Sequence, residues 1–270
     1  MDKANHLDHG EIVGIVPQLL LSLPFLFAAG LYIFCTVYSN RCCKKWPFYR
    51  TACWGFGVFC TLAVVGGPLA NRSHMDFRAH MIGHLLLGML APLLMVLAAP
   101  MMLFLRTLPV ALARDLSRVL KSRPVRIVSD PIVAALLNVG GLWILYTYGL
   151  YVGMQHNLFL HIFIHFHVFL AGYMFTLAMI SVDPVPHRPG FVYRAIVLVL
   201  ASGGHAILAK YIYVQPPSGV PVLQAEMGGM IMYYGGDIID IIMIIILCFQ
   251  WFKASRPRGL LADNRGIAED

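Results

Sequence analysis

The residues best equipped for chemistry in this chain of 270 residues are its 11 histidines. His80 and His84 are four residues apart, and so are His161 and His165. On a helix such a pair shares one face, one turn apart, so two facing pairs can set imidazoles around a common point. Imidazole nitrogen binds Zn, Cu, Fe and Ni. Thioethers narrow that choice. Met75 follows His74, Met81 follows His80, and Met154 precedes His156 by two; Met227 and Met230 fall near the same end of their span. Thioether sulfur is soft and selects Cu(I), so a mixed His/Met set fits copper better than zinc. Asp237 and Asp240 are i,i+3 neighbours inside an apolar run, preceded by Tyr233-Tyr234-Gly235-Gly236. Glycine there admits a neighbouring helix and tyrosine can donate to the carboxylate. The candidate metal set is therefore His80, His84, His161, His165, His205 and Asp237, with Met81 and Met75 at the mouth. The lone His167 reads as packing. No HExxH, paired CxxC, GxGxxG, P-loop or GxSxG motif occurs.

These residues are carried by membrane spans. Apolar residues make up 59% of the chain and charged residues 12%, with a mean hydropathy of +0.73. A typical soluble domain is roughly 25% charged, so a soluble fold is excluded. Disorder, collagen and a disulfide scaffold are excluded as well, the last because 6 Cys in 270 residues is sparse. A spanning helix needs about 20 mostly apolar residues. Such runs occupy Ile12–Tyr38, Phe48–Val65, Met81–Leu105, Ile132–Val152, Leu158–Val182, Phe191–Val214 and Met227–Phe252. They must be helical, because lipid offers no partner to free backbone groups. The expected fold is all-α, a polytopic bundle of seven transmembrane helices over 12–252. It is flanked by an extracytoplasmic segment over 1–11 and a tail over 253–270.

Sixteen of the 20 Lys and Arg fall in the loops and tail on one side. The positive-inside rule then puts the N-terminus outside and the C-terminus in the cytoplasm. The net charge of +7 belongs to that cytoplasmic face, where it attracts anionic lipid and needs no nucleic acid. Residues 108–121 read as an interfacial helix, with Leu108, Leu112, Leu116 and Val119 on one side and Arg114, Arg118 and Lys121 on another. Asp2, Asp8 and Glu11, without a basic n-region, mark the first span as an uncleaved anchor. Cys42 and Cys43 in the first basic loop read as reduced thiols, and the four remaining cysteines as packing residues in spans.

With this orientation, all histidines but His187 lie outside or in outer halves of spans. At ~1.5 Å per residue, the side chains of four helices reach overlapping depths about 5–15 Å below the outer surface. Polar groups there face a bundle interior or a wet cavity.

The run His80-Met81-Ile82-Gly83-His84-Leu85-Leu86-Leu87, continuing to Ala91-Pro92 and Ala99-Pro100, resembles the HMxxHLLL signature of the CtaG-type cytochrome c oxidase assembly factors. Asp130-Pro131 with Ala134 and Trp143 is similar to that family's fourth span. His165 with Phe169 and Gly172, then Asp183-Pro184-Val185-Pro186, resembles the fifth span and its loop. His205-Ala206 and Gly228-Gly229-Met230-Ile231-Met232 resemble spans six and seven. Gly83 stands where the family often has Gln, and Tyr146, Tyr148, Tyr151 and Val152 where span four commonly has His, Pro and Tyr-Asp. Gln224-Ala225 replaces Asp-Gln, and Tyr233 replaces Trp. The resemblance is to a divergent subgroup.

The resemblance implies a part in maturing a haem-copper oxidase in the bacterial inner membrane, with oxidase subunits and a periplasmic copper donor as partners. The residues point to an outward-facing His/Met site that takes Cu(I) by ligand exchange, a metallochaperone rather than an enzyme. His205 and Asp237 would be further ligands or would orient the imidazoles. Three other readings stay open at this point: a zinc-dependent intramembrane hydrolase using Ser202, a haem protein, and a proton or ion pathway. Replacing His80 and His84 together with Ala is expected to abolish tight Cu(I) binding in a folded protein, as measured by titration against a chromophoric Cu(I) chelator; a double variant that binds like the parent would refute the pairs.

Overall fold

The computed structural model describes residues 15–180, 182–183 and 189–256. His6, His9, His187 and the tail beyond 256 lie outside the described residues. Among the described residues there is no strand. Six helices are long and apolar enough to cross a membrane, and up to seven if one bent pair is a single span. In chain order they are α1 (Ile15–Cys42), α2 (Phe48–Val65), a short α3 (Pro68–Ser73), α4 (Phe77–Leu97), α5 (Pro100–Thr107), α6 (Val110–Leu120) and α7 (Arg123–Val128). There follow α8 (Pro131–Thr147), α9 (Leu150–His156), α10 (Leu158–Ile180), α11 (Phe191–Val214) and α12 (Val222–Ser255). Phe27, Phe34, Phe59, Leu200 and Ile245 point outward and are more than half exposed, as a lipid-facing belt requires. This is a multi-pass membrane protein.

α4 is the central span: 61% of its apolar window is buried, against 28–33% in the other five. It packs against α2, α10 and α12. Its backbone is irregular in two places, and proline accounts for both. Pro92 has no N–H to give to the turn before it, and Leu86–Leu90 widens into a π segment in which Ala91 N–H reaches back to the Leu86 carbonyl. The Gly88 carbonyl of that segment faces Gly172 of α10 so closely that a Cβ on Gly172 would sit 1.9 Å from it. Glycine is required there for the two helices to touch. Pro100 ends the helix, and Ala99 before it takes a left-handed backbone (φ 50°).

The second break is stitched by side chains. Tyr32 of α1 donates to the Ala98 carbonyl at 3.1 Å and accepts from Trp46 Nε1 at 3.0 Å. Asp183, beyond α10, accepts from the N–H groups of Met101 and Met102 at 3.3 and 2.8 Å, which caps α5. The sequence reading of 81–105 as one straight span is thus corrected to α4 plus a capped α5.

The fourth span is bent as well. α8 contains a π segment at Leu136–Gly140 and is followed, after a 77° turn at Gly149 (φ 73°), by α9. The bend lays Tyr151 and Met154 of α9 against Phe77 at the start of α4. α6 is amphipathic as expected: none of it is buried, and it exposes Val110, Leu112 and Val119 beside Arg114, Arg118 and Lys121.

Burial raises the Asp183 pKa, against the pull of the two N–H groups and of Arg50. A carboxyl that holds its proton more tightly when folded contributes most below the ordinary carboxylate range and loses that contribution as pH rises through its raised value. Asp183→Asn, which cannot ionise, should flatten the pH dependence of thermal unfolding in detergent across that window. Asp183→Ala strands the two helix N–H groups and should cost about 1–2 kcal/mol.

Candidate metal-handling site

The histidines lie in file along three small chambers in the bundle. The first, between α1, α3 and α10, is lined by Gln18, Ser73, His74, His161 and His165. The second is lined by Ser73, His80, His84, Tyr146 and His165. The third is lined by Met89, Asn138, Ser202, His205 and Asp240. They leave ≈ 10, 30 and 10 Å³ for the centre of a water-sized particle, room for about one or two each. Ser73 and His165 face both the first and second chambers. The His84 and His205 rings, 5.8 Å apart, connect the second to the third.

Ring contacts join neighbouring members of this file at each end. His74 stacks on His161 at 5.1 Å, and His161 lies 4.2 Å from His165. Phe77 and Tyr151 flank the His80 ring at 5.9 and 4.9 Å. At the mouth, Asp76 caps α4 by accepting from Arg78 N–H at 2.9 Å, and Phe77 N–H reaches Gln224 Oε1 at 3.0 Å. The Arg78 guanidinium holds the Asp76 carboxyl below the usual carboxylate range. Burial holds the His74 imidazole below its usual pKa, in the neutral form that a metal needs.

Hydrogen bonds decide which nitrogens are spoken for. The His161 carbonyl can only accept, so His165 Nδ1, 2.9 Å away, carries the proton and leaves Nε2 with a lone pair. His80 Nε2 lies 3.0 Å from the Tyr146 hydroxyl. Both ring nitrogens of His84, Nδ1 of His161 and Nε2 of His205 are buried with no hydrogen-bond partner. Leaving such groups unpaired inside a protein is costly, so each calls for a partner, either a buried water or a ligand. His167 is of another kind. Its Nε2 donates to the Leu137 carbonyl at 3.2 Å, within the π segment of α8, and its ring fills the space beside Gly141.

The candidate residues divide accordingly. His80, His84, His161, His165 and His205 all face the bundle interior, but as linked pairs. Among the described residues no group of three His, Cys, Asp or Glu side chains is placed to hold one ion. Met81 is fully buried against Gly228 of α12 and lines none of the three chambers; Met75 is 85% exposed at the mouth. Asp237 is half-buried and lines none of them, whereas Asp240 is buried in the third. Asn138, Met89, Tyr146 and His74 were not among the candidate ligands. For Asp240 the signal was present: Gly228, Gly229, Met232, Gly236 and Asp240 share the buried stripe of α12, and Asp237 falls off it. Two larger cavities lie at the basic end, ≈ 590 Å³ beside Asp130 and Asp183 and ≈ 660 Å³ beside Arg106, Arg114 and Arg118, and among the described residues no histidine lines either.

The family model described as cytochrome c oxidase caa3 assembly factor matches residues 30–254, a stretch that includes every histidine of the three chambers. The chain belongs to this assembly factor family. It is 28% identical over 234 residues to an uncharacterized protein of Mycobacterium bovis, covering 79% of this chain and 35% of that protein. An uncharacterized protein of Mycobacterium leprae is 26% identical over 254 residues, covering 86% of this chain and 38% of its own length. The chain therefore spans about a third of the curated relatives it matches. No solved structure matches it significantly.

One glycine of α12 sets the His205 ring. A Cβ on Gly236 would lie 2.5 Å from His205 Cε1 and 2.8 Å from Nδ1, whereas one on Gly203 would meet nothing. Gly236→Ala should lower thermal stability in detergent by about 1–3 kcal/mol through overpacking. Gly203→Ala on the exposed face of α11 should be neutral or stabilising by up to about 1 kcal/mol. Equal effects from the two would contradict this packing.

Proposed function

We propose that this assembly factor serves haem-copper oxidase maturation by receiving Cu(I) at the histidine end of the bundle and passing it on. The observation that carries the reading is the file of buried imidazoles whose nitrogens lack partners. Copper is the cargo here, and the chain's residues supply the seats. His74, against the first chamber, and Met75, exposed beside it, meet the ion first. His161 and His165 take it next, with the His165 tautomer held ready by the His161 carbonyl. His80 and His84 follow across the second chamber, where the Tyr146 hydroxyl orients His80.

Pairing favours Cu(I) over zinc. Structural zinc takes a closed shell of four ligands, and catalytic zinc takes three with a water. Cu(I) is satisfied by two or three soft or borderline donors, which is what each pair offers. The transfer is ligand exchange and needs no bond-making catalysis. The distribution of Lys and Arg supports an outward histidine end, and the mycobacterial relatives support a bacterial inner membrane. Oxidase subunits would then be the recipients and a periplasmic copper carrier the donor.

In a strain lacking this protein, the oxidase should have low copper content and low activity, partly restored by added copper. The parent chain should restore both, and a His161→Ala, His165→Ala chain present at equal level in the membrane should not. Full oxidase copper in the deletion strain, or full rescue by the double variant, would overturn the proposal.

A further inference from the structure

The third chamber is set apart from the other two by its backbone and its charge. Met89 comes from the π segment of α4 and Asn138 from the π segment of α8. Such segments are rare, hold poorer hydrogen-bond geometry and concentrate at functional sites. Here two of them, from different spans, line one cavity. His205 and Asp240 complete it from α11 and α12, at 5% and 6% exposure. His205 Nε2 has no hydrogen-bond partner, nor has either nitrogen of His84 across the 5.8 Å ring contact. The space is that of about one water-sized particle.

Charge selects what fits. The first two chambers have no carboxylate among their lining residues. The third has Asp240, and among the described residues the ion pairs of Arg and Lys are made with Asp76 and Asp115 instead. A net charge inside a membrane bundle is expensive. One monovalent cation on neutral imidazole and thioether, with one carboxylate nearby, leaves the chamber neutral; a divalent ion would leave it charged. The thioether of Met89 favours a soft ion over sodium or potassium.

We infer that the third chamber is a second, inner Cu(I) station, held by His205 and Met89 with His84 shared from above and with Asp240 as the balancing charge. This rests on the copper reading of the histidine file and extends it. Cargo would move into the middle of the bundle rather than stay at its surface, since His205 lies nine residues, ~13 Å, from the end of α11.

The test uses the full chain in lipid nanodiscs, loaded anaerobically with Cu(I) and titrated against a chromophoric Cu(I) chelator, with X-ray absorption at the copper edge. The His80→Ala, His161→Ala, His165→Ala variant, which removes the outer seats and keeps His84, should retain one Cu(I) with a sulfur neighbour. Adding Met89→Leu, a volume-conserving change, should remove the sulfur signal. Adding Asp240→Asn should weaken the remaining site at least about tenfold, and adding His205→Ala should empty it. Gel filtration and circular dichroism establish that each variant is folded, and a variant that is not is replaced by His205→Gln or Met89→Ile. If the parent binds Cu(I) and the outer triple variant binds none, the inner station is overturned and the outer reading stands. Unchanged sulfur scattering without Met89, or unchanged binding without His205 or the Asp240 charge, overturns the inner station too. A parent that binds no Cu(I) overturns both readings.

Discussion

Hydrocarbon supplies no partner for a free backbone group, and the architecture follows from how each freed group is met. A regular helix would need no help. This chain instead places Pro92 and Pro100 in its central span and widens two spans into π segments. Each irregularity is answered from another part of the chain. Tyr32 takes the Ala98 carbonyl, Asp183 takes the first N–H groups of α5, and His167 takes the Leu137 carbonyl. The Gly88 carbonyl meets Gly172, where the missing Cβ lets the backbones close. These repairs tie α1, α4, α8 and α10 to one another, so the histidines on α4 and α10 are held against a common frame.

The repairs also sort the histidines. An imidazole has two nitrogens, and in a dry interior both need partners. His167 satisfies a backbone carbonyl and fills the space over Gly141, which makes it part of the fold. His165 uses one nitrogen to fix its tautomer and keeps the other. His84 uses neither. A bundle that can supply a tyrosine and a carboxylate to stitch its helix breaks leaves nitrogens of His84, His161 and His205 without a protein partner along one line. That line runs from the mouth at His74 to Asp240.

Much of this was legible in the residues. Hydropathy indicates seven spans, and the structure has six, or seven if the bent pair is one; the i,i+4 spacing of His80/His84 and His161/His165 sets each pair on one helix face. Spacing along one helix says nothing about its rotation against the next, so the pairs could not be told to lie in file rather than around one centre. The π segments were illegible for a related reason. They break the 3.6-residue period on which any reading of helix faces rests. Asn138 and Met89 reach the third chamber only because of that break. Met81 stands beside His80 in the chain but about 100° round the helix, and that face meets Gly228. Asp240 could have been preferred over Asp237 by following the small residues Gly228, Gly229 and Gly236, since a stripe of such residues marks the face that packs. Tyr146 carries no motif, and its role depends on how α8 lies against α4.

A file of pairs differs chemically from a single cluster. Four imidazoles around one point would hold an ion tightly and release it slowly, which suits a structural or catalytic metal. Pairs that share members, as His165 and His84 do here, let an ion gain its next ligand before it loses its last, so no step leaves it bare in the bundle. The aromatic walls at Phe77 and Tyr151 limit water beside His80, and the chambers have room for little beyond the ion. Charge then sets direction. The neutral chambers near the mouth carry the full cost of a buried cation, and the chamber with Asp240 offsets it. On the proposed copper reading, an ion that enters at His74 would be drawn toward the carboxylate.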